Sequence, residues 1–161
     1  MPFDGFLKIS GIQGESKDEK HRNEIDVQSF SYGVTQSTSV STGGGLTAGK
    51  SSLGAFSFIQ QYHKGSIPLF VAAATGKHID EVVFTARKSA GEQQLEYLVV
   101  TFKHCLVTSV QVSGGTENEI PTETVEIQYS EVRFKYKEQN DKGGVLSEVE
   151  GGYDQKLNKK L

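Results

Sequence analysis

The sequence has no tryptophan and a single cysteine, and its 17 basic residues are outnumbered by 20 acidic ones. Because one cysteine, Cys105, cannot form a disulfide within the chain, we expect folding in a reducing compartment, the cytoplasm. The formal net charge is −3 and the isoelectric point is about 5.8. A chain without excess positive charge has no overall field to hold nucleic acid or an acidic membrane surface. We therefore expect no nucleic-acid partner.

Long apolar runs are also absent. The first ten residues contain an acid and lack a basic start and a sustained apolar stretch, so they do not resemble a signal peptide. No stretch approaches the roughly 20 apolar residues that cross a bilayer as a helix. We expect no membrane insertion, and we expect any export to use a route that needs no signal peptide.

Proline is scarce, with three residues against 18 glycines, which favours many turns rather than long helices. Several segments alternate apolar and polar residues with period two, as half-buried strands do. Residues 82–87 are one example. Residues 95–112 alternate over a length that is unusual for one strand. Their more apolar set lies at the even positions Leu98, Val100, Phe102, Leu106, Val110 and Val112. These patterns predict an all-β fold.

Two segments change phase midway, which is informative about the architecture. Residues 123–137 begin with one apolar set and end with another, and residues 25–34 do the same. The first segment has Val125, Ile127 and Tyr129 followed by Val132, Phe134 and Tyr136; the second has Ile25 and Val27 followed by Phe30, Tyr32 and Val34. Such a change needs a bulge or a bend that carries a strand between sheets. We predict a small β-barrel of two packed antiparallel sheets.

One short helix is expected, with Ser66 as its N-cap, Pro68 in its first turn and Gly76 at its end. The chain of 161 residues suits a single domain. From about residue 138 onward the sequence is polar and rich in glycine, and we expect a partly ordered C-terminal tail.

Residues 44–51, GGLTAGKS, satisfy the phosphate-loop pattern letter for letter. That chemistry requires a buried strand before the loop and a helix after it. Here the preceding residues are polar and the following residues favour a strand, so we do not predict nucleotide binding. The four histidines lack the spacing of a zinc site, and His104 and Cys105 would point to opposite faces of a strand. We assign no catalytic, cofactor-binding or metal-binding residue and do not expect an enzyme.

Residues 6–36, FLKISGIQGESKDEKHRNEIDVQSFSYGVTQ, resemble the opening of the haemolysin-coregulated protein (Hcp) family. The matching features are the GES at 14–16, His21, the EIDV at 24–27 and the aromatic pattern at 30–33. Three later blocks agree in the same order: GGGLTAGK at 43–50, GKHIDEVVFTARK at 76–88 and EYLVVTFKHCLVTSV at 96–110. One departure is Tyr32, where many members have tryptophan.

The resemblance implies the phage tail-tube-like barrel of type VI secretion. Members assemble into homohexamers whose rings stack into a hollow tube, driven out by a sheath together with a spike and effector proteins. It implies a cytoplasmic protein before firing and a secreted one afterwards. The effector and the target cell are not identified by the sequence, nor is whether rings stack spontaneously. The alternative that the residues leave open is a monomeric ligand-binding β-barrel without a secretion role.

Two sets of residues are assigned to assembly. Ser29 and Ser31 lie opposite the aromatic residues at 30 and 32 and are expected to face the lumen or, equally, an outer solvent face. Residues 39–50 are expected to form an extended loop that joins one ring to the next, unless it is a disordered surface loop. The loop residues assigned to the contact are Val40, Gly43, Gly44, Gly45, Leu46 and Lys50.

Overall fold

A computed structural model describes residues 3–40, 43–90, 93–142 and 144–161. Within these ranges the chain forms twelve strands and one helix. The elements are β1 (Asp4–Ile9), β2 (Ile25–Val27), β3 (Ser29–Ser31), β4 (Val34–Val40), β5 (Leu46–Leu53), β6 (Phe56–Gln61), α1 (Ser66–Thr75), β7 (His78–Ala90), β8 (Gln93–Ser113), β9 (Thr122–Gln128), β10 (Glu131–Gln139), β11 (Val145–Asp154) and β12 (Lys159–Lys160). The prediction of an all-β fold with one short helix is confirmed.

The long strand β8 organises the sheet. One of its edges pairs with β7, while the other pairs with β9 along one half and with β10 along the other half. From β7 the pairing continues through β1 to β2, and from β9 it continues through β6 to β3. Only Gln28 separates β2 from β3, and its N–H donates to the Ile59 carbonyl at 2.9 Å. The antiparallel pairings therefore lead back to β8, with β10, β11, β12 and the separate β4–β5 hairpin outside this circuit.

The predicted phase changes are bends between elements. Tyr129 and Ser130 separate β9 from β10, and opposite them His104 takes a left-handed backbone conformation, φ 58°, in the middle of β8. The backbone at His104 rotates the strand, so the buried set changes from Val100 and Phe102 to Cys105 and Val107. The apolar set at the even positions of residues 95–112 is therefore not buried throughout, since Leu106 and Val112 are each 42% exposed.

The core inside these strands is aromatic. Phe56, Phe58, Phe84 and Phe102 are fully buried, and the Phe56 ring lies 4.8 Å from Phe102 and 5.4 Å from Phe84, centroid to centroid. Burying each such side chain contributes about 1.5–3 kcal/mol relative to exposure. The barrel interior is thus filled by side chains where a ligand-binding barrel would need space.

Helix α1 packs on β8 through Leu69 and Ala72, which are buried. It ends as predicted at Gly76, whose φ of 67° is left-handed. The prediction of Ser66 as the N-cap is wrong by one residue: Gly65 is the cap, and the Ser66 hydroxyl oxygen accepts the His63 N–H at 2.9 Å. In the described part of the chain no helix is long and apolar enough to cross a membrane.

The C-terminal residues are strands, and the expected partly ordered tail is wrong. Strand β10 continues to Gln139, and β11 pairs with it antiparallel from Val145 to Asp154. Most β11 side chains are exposed, so the pairing is held by backbone hydrogen bonds and by Lys135, whose ammonium lies 2.9 Å from Glu148. The alternation of apolar and polar residues identifies strands with one buried face. It therefore does not detect a strand whose side chains are mostly exposed.

The segment between β1 and β2 is fastened by a buried guanidinium. Arg87 is 3% exposed and donates two hydrogen bonds to Asp18, at 3.0 and 2.6 Å. Its guanidinium lies over the Phe6 ring at 4.8 Å, and His21 stacks on that ring at 4.4 Å. The hydrogen bonds from Arg87 lower the pKa of Asp18 from 3.8 to about 2. His21 also contacts the carboxylate of Glu96 at 2.7 Å, so the segment is attached to both β7 and β8.

We predict that Asp18→Asn lowers the free energy of unfolding by about 1–3 kcal/mol at neutral pH, because a charge-assisted pair to buried Arg87 is lost. A lowered folded-state pKa stabilises the fold above pH 4, and the contribution disappears as pH falls towards 2. Urea unfolding between pH 2 and pH 7 should show the variant and wild type converging at low pH. Asp80→Asn, at a highly exposed carboxylate, is the control. A difference that stays constant over this range would contradict the assignment.

Candidate functional site

The residues assigned to an extended loop form half of a hairpin. Val40 is the last residue of β4 and pairs with Leu46 of β5, and Ser39 pairs with Thr47. The prediction of a loop over residues 39–50 is therefore wrong in conformation. Gly43, Gly44 and Gly45 lie at the tip, where Gly44 has a left-handed φ of 86°.

Cross-strand hydroxyl contacts hold the hairpin together. The hydroxyls of Ser39 and Thr47 are 2.8 Å apart, and the Lys50 N–H donates to the Ser37 hydroxyl at 3.1 Å. Both faces of the hairpin are polar, so it lacks the alternation that identifies a half-buried strand. Its signal in the sequence is the run of serine and threonine, which pair well across antiparallel strands.

The hairpin is not a phosphate-binding loop. Lys50 and Ser51 lie within β5, and residues 46–53 form a strand where a phosphate loop requires the first turn of a helix. The Lys50 amide, one of the groups that would face a phosphate, is already bonded to Ser37.

The tip of the hairpin exposes apolar side chains. Val40 is 77% exposed and Leu46 is 72% exposed. In residues 34–53 the only charged side chain is Lys50. The hairpin therefore presents an apolar pair and one positive charge on an arm that projects from the sheet.

Ser29 and Ser31 lie on a polar sheet face and are both exposed. Ser31 pairs with Ser57, which pairs with Glu126 of β9, and Ser109 of β8 pairs with the same glutamate. A second row runs from Ser29 through Ile59 and Thr124 to Gln111. Four strands thus present a surface of small polar side chains, interrupted by Ile59 and Glu126. On the opposite side Phe30 packs against the aromatic core.

The rest of the aromatic block does not enter the core. Tyr32 is 37% exposed and contacts the Phe134 ring at 5.5 Å, while Val34 is 63% exposed. These residues help to line an apolar groove of about 410 Å³ at the base of the hairpin, which the sequence did not reveal. The groove is also lined by Leu53, Tyr129, Phe134 and Tyr153. None of the described residues that line it is acidic or basic, so the groove is suited to apolar contact.

Two further apolar surfaces are exposed. On α1, Ile67, Phe70 and Val71 are half to two-thirds exposed and share one side of the helix. On β11, Val145, Leu146 and Val149 are exposed to a similar extent. Strand β12 pairs only with Tyr153 and Asp154, so the edge of β11 that faces away from β10 has no strand partner from Val145 to Gly151 within the described chain. Apolar patches and open strand edges of this kind are typical of surfaces that contact other subunits.

Two titratable side chains, Cys105 and His63, are held in surroundings that do not suit nucleophilic or acid–base chemistry. Cys105 is buried, and burial raises the pKa of its thiol to about 12, so it is not a nucleophile at neutral pH. The His63 Nε2–H donates to the Gln60 oxygen at 2.8 Å, and the Gln60 amide donates to Glu123 at 3.2 Å. An amide between histidine and carboxylate prevents direct proton transfer. Among the described residues no group of three histidine, cysteine or acidic side chains could hold a metal ion.

Comparison with known proteins identifies similar sequences in one family. A family model described as type VI secretion system effector, Hcp, matches residues 6–136. The chain is 40% identical to protein hcp1 of Pseudomonas aeruginosa over 143 residues, which is 89% of this chain and 88% of the relative.

Solved structures show the same similarity. Hcp1 from Salmonella typhimurium has 36% identity and a TM-score of 0.80, with 99% of both chains covered. A structure described as a type six secretion system protein has 28% identity and a TM-score of 0.92, again over 99% of both chains. The chain belongs to the Hcp family, the tube proteins of the type VI secretion system.

Proposed function

We propose that six copies of the chain close into a ring, that rings stack into a hollow tube, and that the tube carries effector proteins in its lumen. Before firing the protein resides in the cytoplasm, and the contracting sheath then exports it together with the spike, without a signal peptide. The observation that carries this proposal is the number of apolar surfaces left open on a subunit whose core is already complete: α1, β11, the groove and the hairpin tip.

The contact between neighbours in a ring is proposed to use the strand edge and the apolar surfaces on the sides of the subunit. The open edge of β11 offers unpaired backbone groups, and the groove beside Tyr32 and Phe134 offers an apolar recess. A ring forms when two different surfaces of one subunit meet head to tail and the rotation closes. The number six comes from the family, not from these contacts.

The polar face that contains Ser29 and Ser31 is proposed to line the lumen. A wall of small hydroxyl side chains leaves a wide channel and gives a passing protein few strong contacts. Ile59, which is 37% exposed, adds an apolar point at which an effector can be held. The alternative position for this face is the outer, solvent-facing side of the ring.

The hairpin is proposed as the connector between rings. It projects from the sheet as a separate two-stranded unit and places Val40 and Leu46 at its end. An isolated two-stranded hairpin is marginally stable in water, so contact with a neighbouring ring would fix it. Its role as a connector thus rests on paired strands with an exposed apolar end.

The first prediction is that the purified protein sediments as a hexamer, at about six times its chain mass of 17.6 kDa. Burial of the open apolar surfaces provides the driving force. Analytical ultracentrifugation over the micromolar range measures the mass, and electron microscopy should show annular particles. A stable monomer or dimer throughout that range would support the monomeric ligand-binding barrel instead.

The second prediction concerns the lumen. Ser31→Gln should leave the hexamer intact and reduce the amount of effector that copurifies with it, because the longer side chain occupies space in the lumen. Ser10→Gln, at an exposed serine beyond the end of β1, is the matched control and should retain the effector. Equal retention by wild type and both variants would place Ser31 on the outer face.

The third prediction concerns the hairpin. Deleting residues 42–47 should preserve single hexamers and abolish their stacking, since the deletion removes Leu46 and the glycines of the tip while the ring contacts lie elsewhere. Sedimentation reports the hexamer, and electron microscopy of concentrated samples reports tubes. Tubes of normal length after the deletion would show that the hairpin is a surface arm with no partner.

A further inference from the structure

The hairpin and a second groove lie at opposite ends of the same strands. The hairpin leaves the sheet where β3 ends at Ser31 and β6 begins at Phe56. At the other end, Gln61 of β6 pairs with Thr122, and the Tyr62 N–H donates to the Pro121 carbonyl at 2.9 Å. Because the two features lie at opposite ends of β3, β6 and β9, copies that stack head to tail along these strands bring the hairpin of one against this end of the next.

This end of the sheet has a mostly polar groove that contains two exposed apolar side chains. Two adjoining cavities of about 300 and 390 Å³ share Gln28, Gln61 and Ile120 as lining residues. Ile120 is 44% exposed, and Tyr62 beside it is 41% exposed. Two large apolar side chains are therefore open to water at the point where the next copy would arrive.

The edge of this groove is acidic. Glu15 and Asp26 line the first cavity, Glu117 and Glu119 line the second, and no lysine or arginine is among the described residues that line either one. Burial, with the nearby charge of Asp18, raises the pKa of Asp26, so a cation brought to the groove would stabilise its carboxylate. The groove is thus matched to a ligand that carries positive charge next to a small apolar group.

The hairpin tip has this chemistry. Val40 and Leu46 form its exposed apolar pair, and Lys50 follows four residues after Leu46, within roughly 13 Å along an extended strand. We propose that the groove of Gln28, Gln61, Tyr62 and Ile120, with its acidic edge, is the docking site for the β4–β5 hairpin of a second copy of this chain. This inference rests on the proposed role of the hairpin in stacking.

The groove at the hairpin base is a poorer receptor. It is apolar, and none of its described lining residues is acidic, so Lys50 of an incoming hairpin would lose water without gaining a partner. It also lies beside the hairpin of its own subunit, at the same end of β3 and β6.

An exchange of charges tests the pairing. Lys50→Glu should reduce the fraction of hexamers in tubes at least tenfold, and Glu117→Lys with Glu119→Lys should do the same. Combining all three substitutions should restore stacking to within about threefold of wild type, because opposite charges again face each other. Hexamer mass by sedimentation should stay constant throughout. A control series carries the same glutamate substitutions but has Lys156→Glu, a charge reversal at an exposed lysine, in place of Lys50→Glu. A triple variant that stacks no better than Lys50→Glu alone would overturn the proposal.

A disulfide cross-link tests the position directly. Cys105 is buried with a raised pKa, so the natural chain supplies no competing thiol. Leu46→Cys combined with Ile120→Cys should give, on oxidation, a ladder of cross-linked chains on a non-reducing gel. Each single variant, and the control pair Leu46→Cys with Val149→Cys, should remain monomeric on that gel.

Different outcomes would contradict the role of the hairpin as a connector and its docking in the groove at Ile120. If deletion of the tip abolishes stacking while the cross-link and the charge exchange both fail, the hairpin is the connector and its receptor lies elsewhere. A ladder from Leu46→Cys alone would mean that hairpins meet each other, which overturns the head-to-tail arrangement. If the deletion leaves tubes intact, the role of the hairpin in stacking fails, and the docking site fails with it.

Discussion

The structure depends on one long strand that serves two halves of the fold. Strand β8 pairs with β7 along one edge and with β10 and then β9 along the other, so all three must follow its course. Its left-handed residue, His104, turns the buried face from Phe102 to Cys105. Opposite it, Tyr129 occupies the bend between β9 and β10, and its hydroxyl donates to the Gly54 carbonyl at 2.8 Å. The aromatic core can close only because the strands on both sides bend together.

A core completed in this way leaves the remaining apolar side chains on the surface. Phe70 on α1, Leu146 on β11 and Leu46 at the hairpin tip are each more than half exposed, and they lie on separate elements. A monomer with so many separate apolar surfaces is unusual, whereas a subunit that meets neighbours on several sides requires them. The fold thus completes the barrel core within one subunit and leaves apolar side chains of α1, β11 and the hairpin exposed.

Sequence reasoning succeeded where side chains are buried in a regular pattern. Val82, Phe84 and Ala86 were assigned to one face of a strand, and all three are fully buried. It failed at β11 and at the β4–β5 hairpin, whose side chains are mostly exposed and whose strands are held by backbone pairing and hydroxyl contacts. Ser29 and Ser31 were correctly placed opposite the aromatic core, but the period of two does not say what their face meets.

The sequence by itself determined the class of fold, the single short helix, the family and the polar character of the face around Ser31. These follow from local alternation, from a capping glycine and from motifs that remain in order along the chain. Only the tertiary structure decided that the bend falls at His104, and that the hairpin and the groove at Ile120 lie at opposite ends of the same strands. Both depend on which strands pair and in which register, and pairing joins residues as far apart as Ser57 and Glu126. Contacts at that separation leave no periodic signal in the sequence, because each partner satisfies its own local pattern alone.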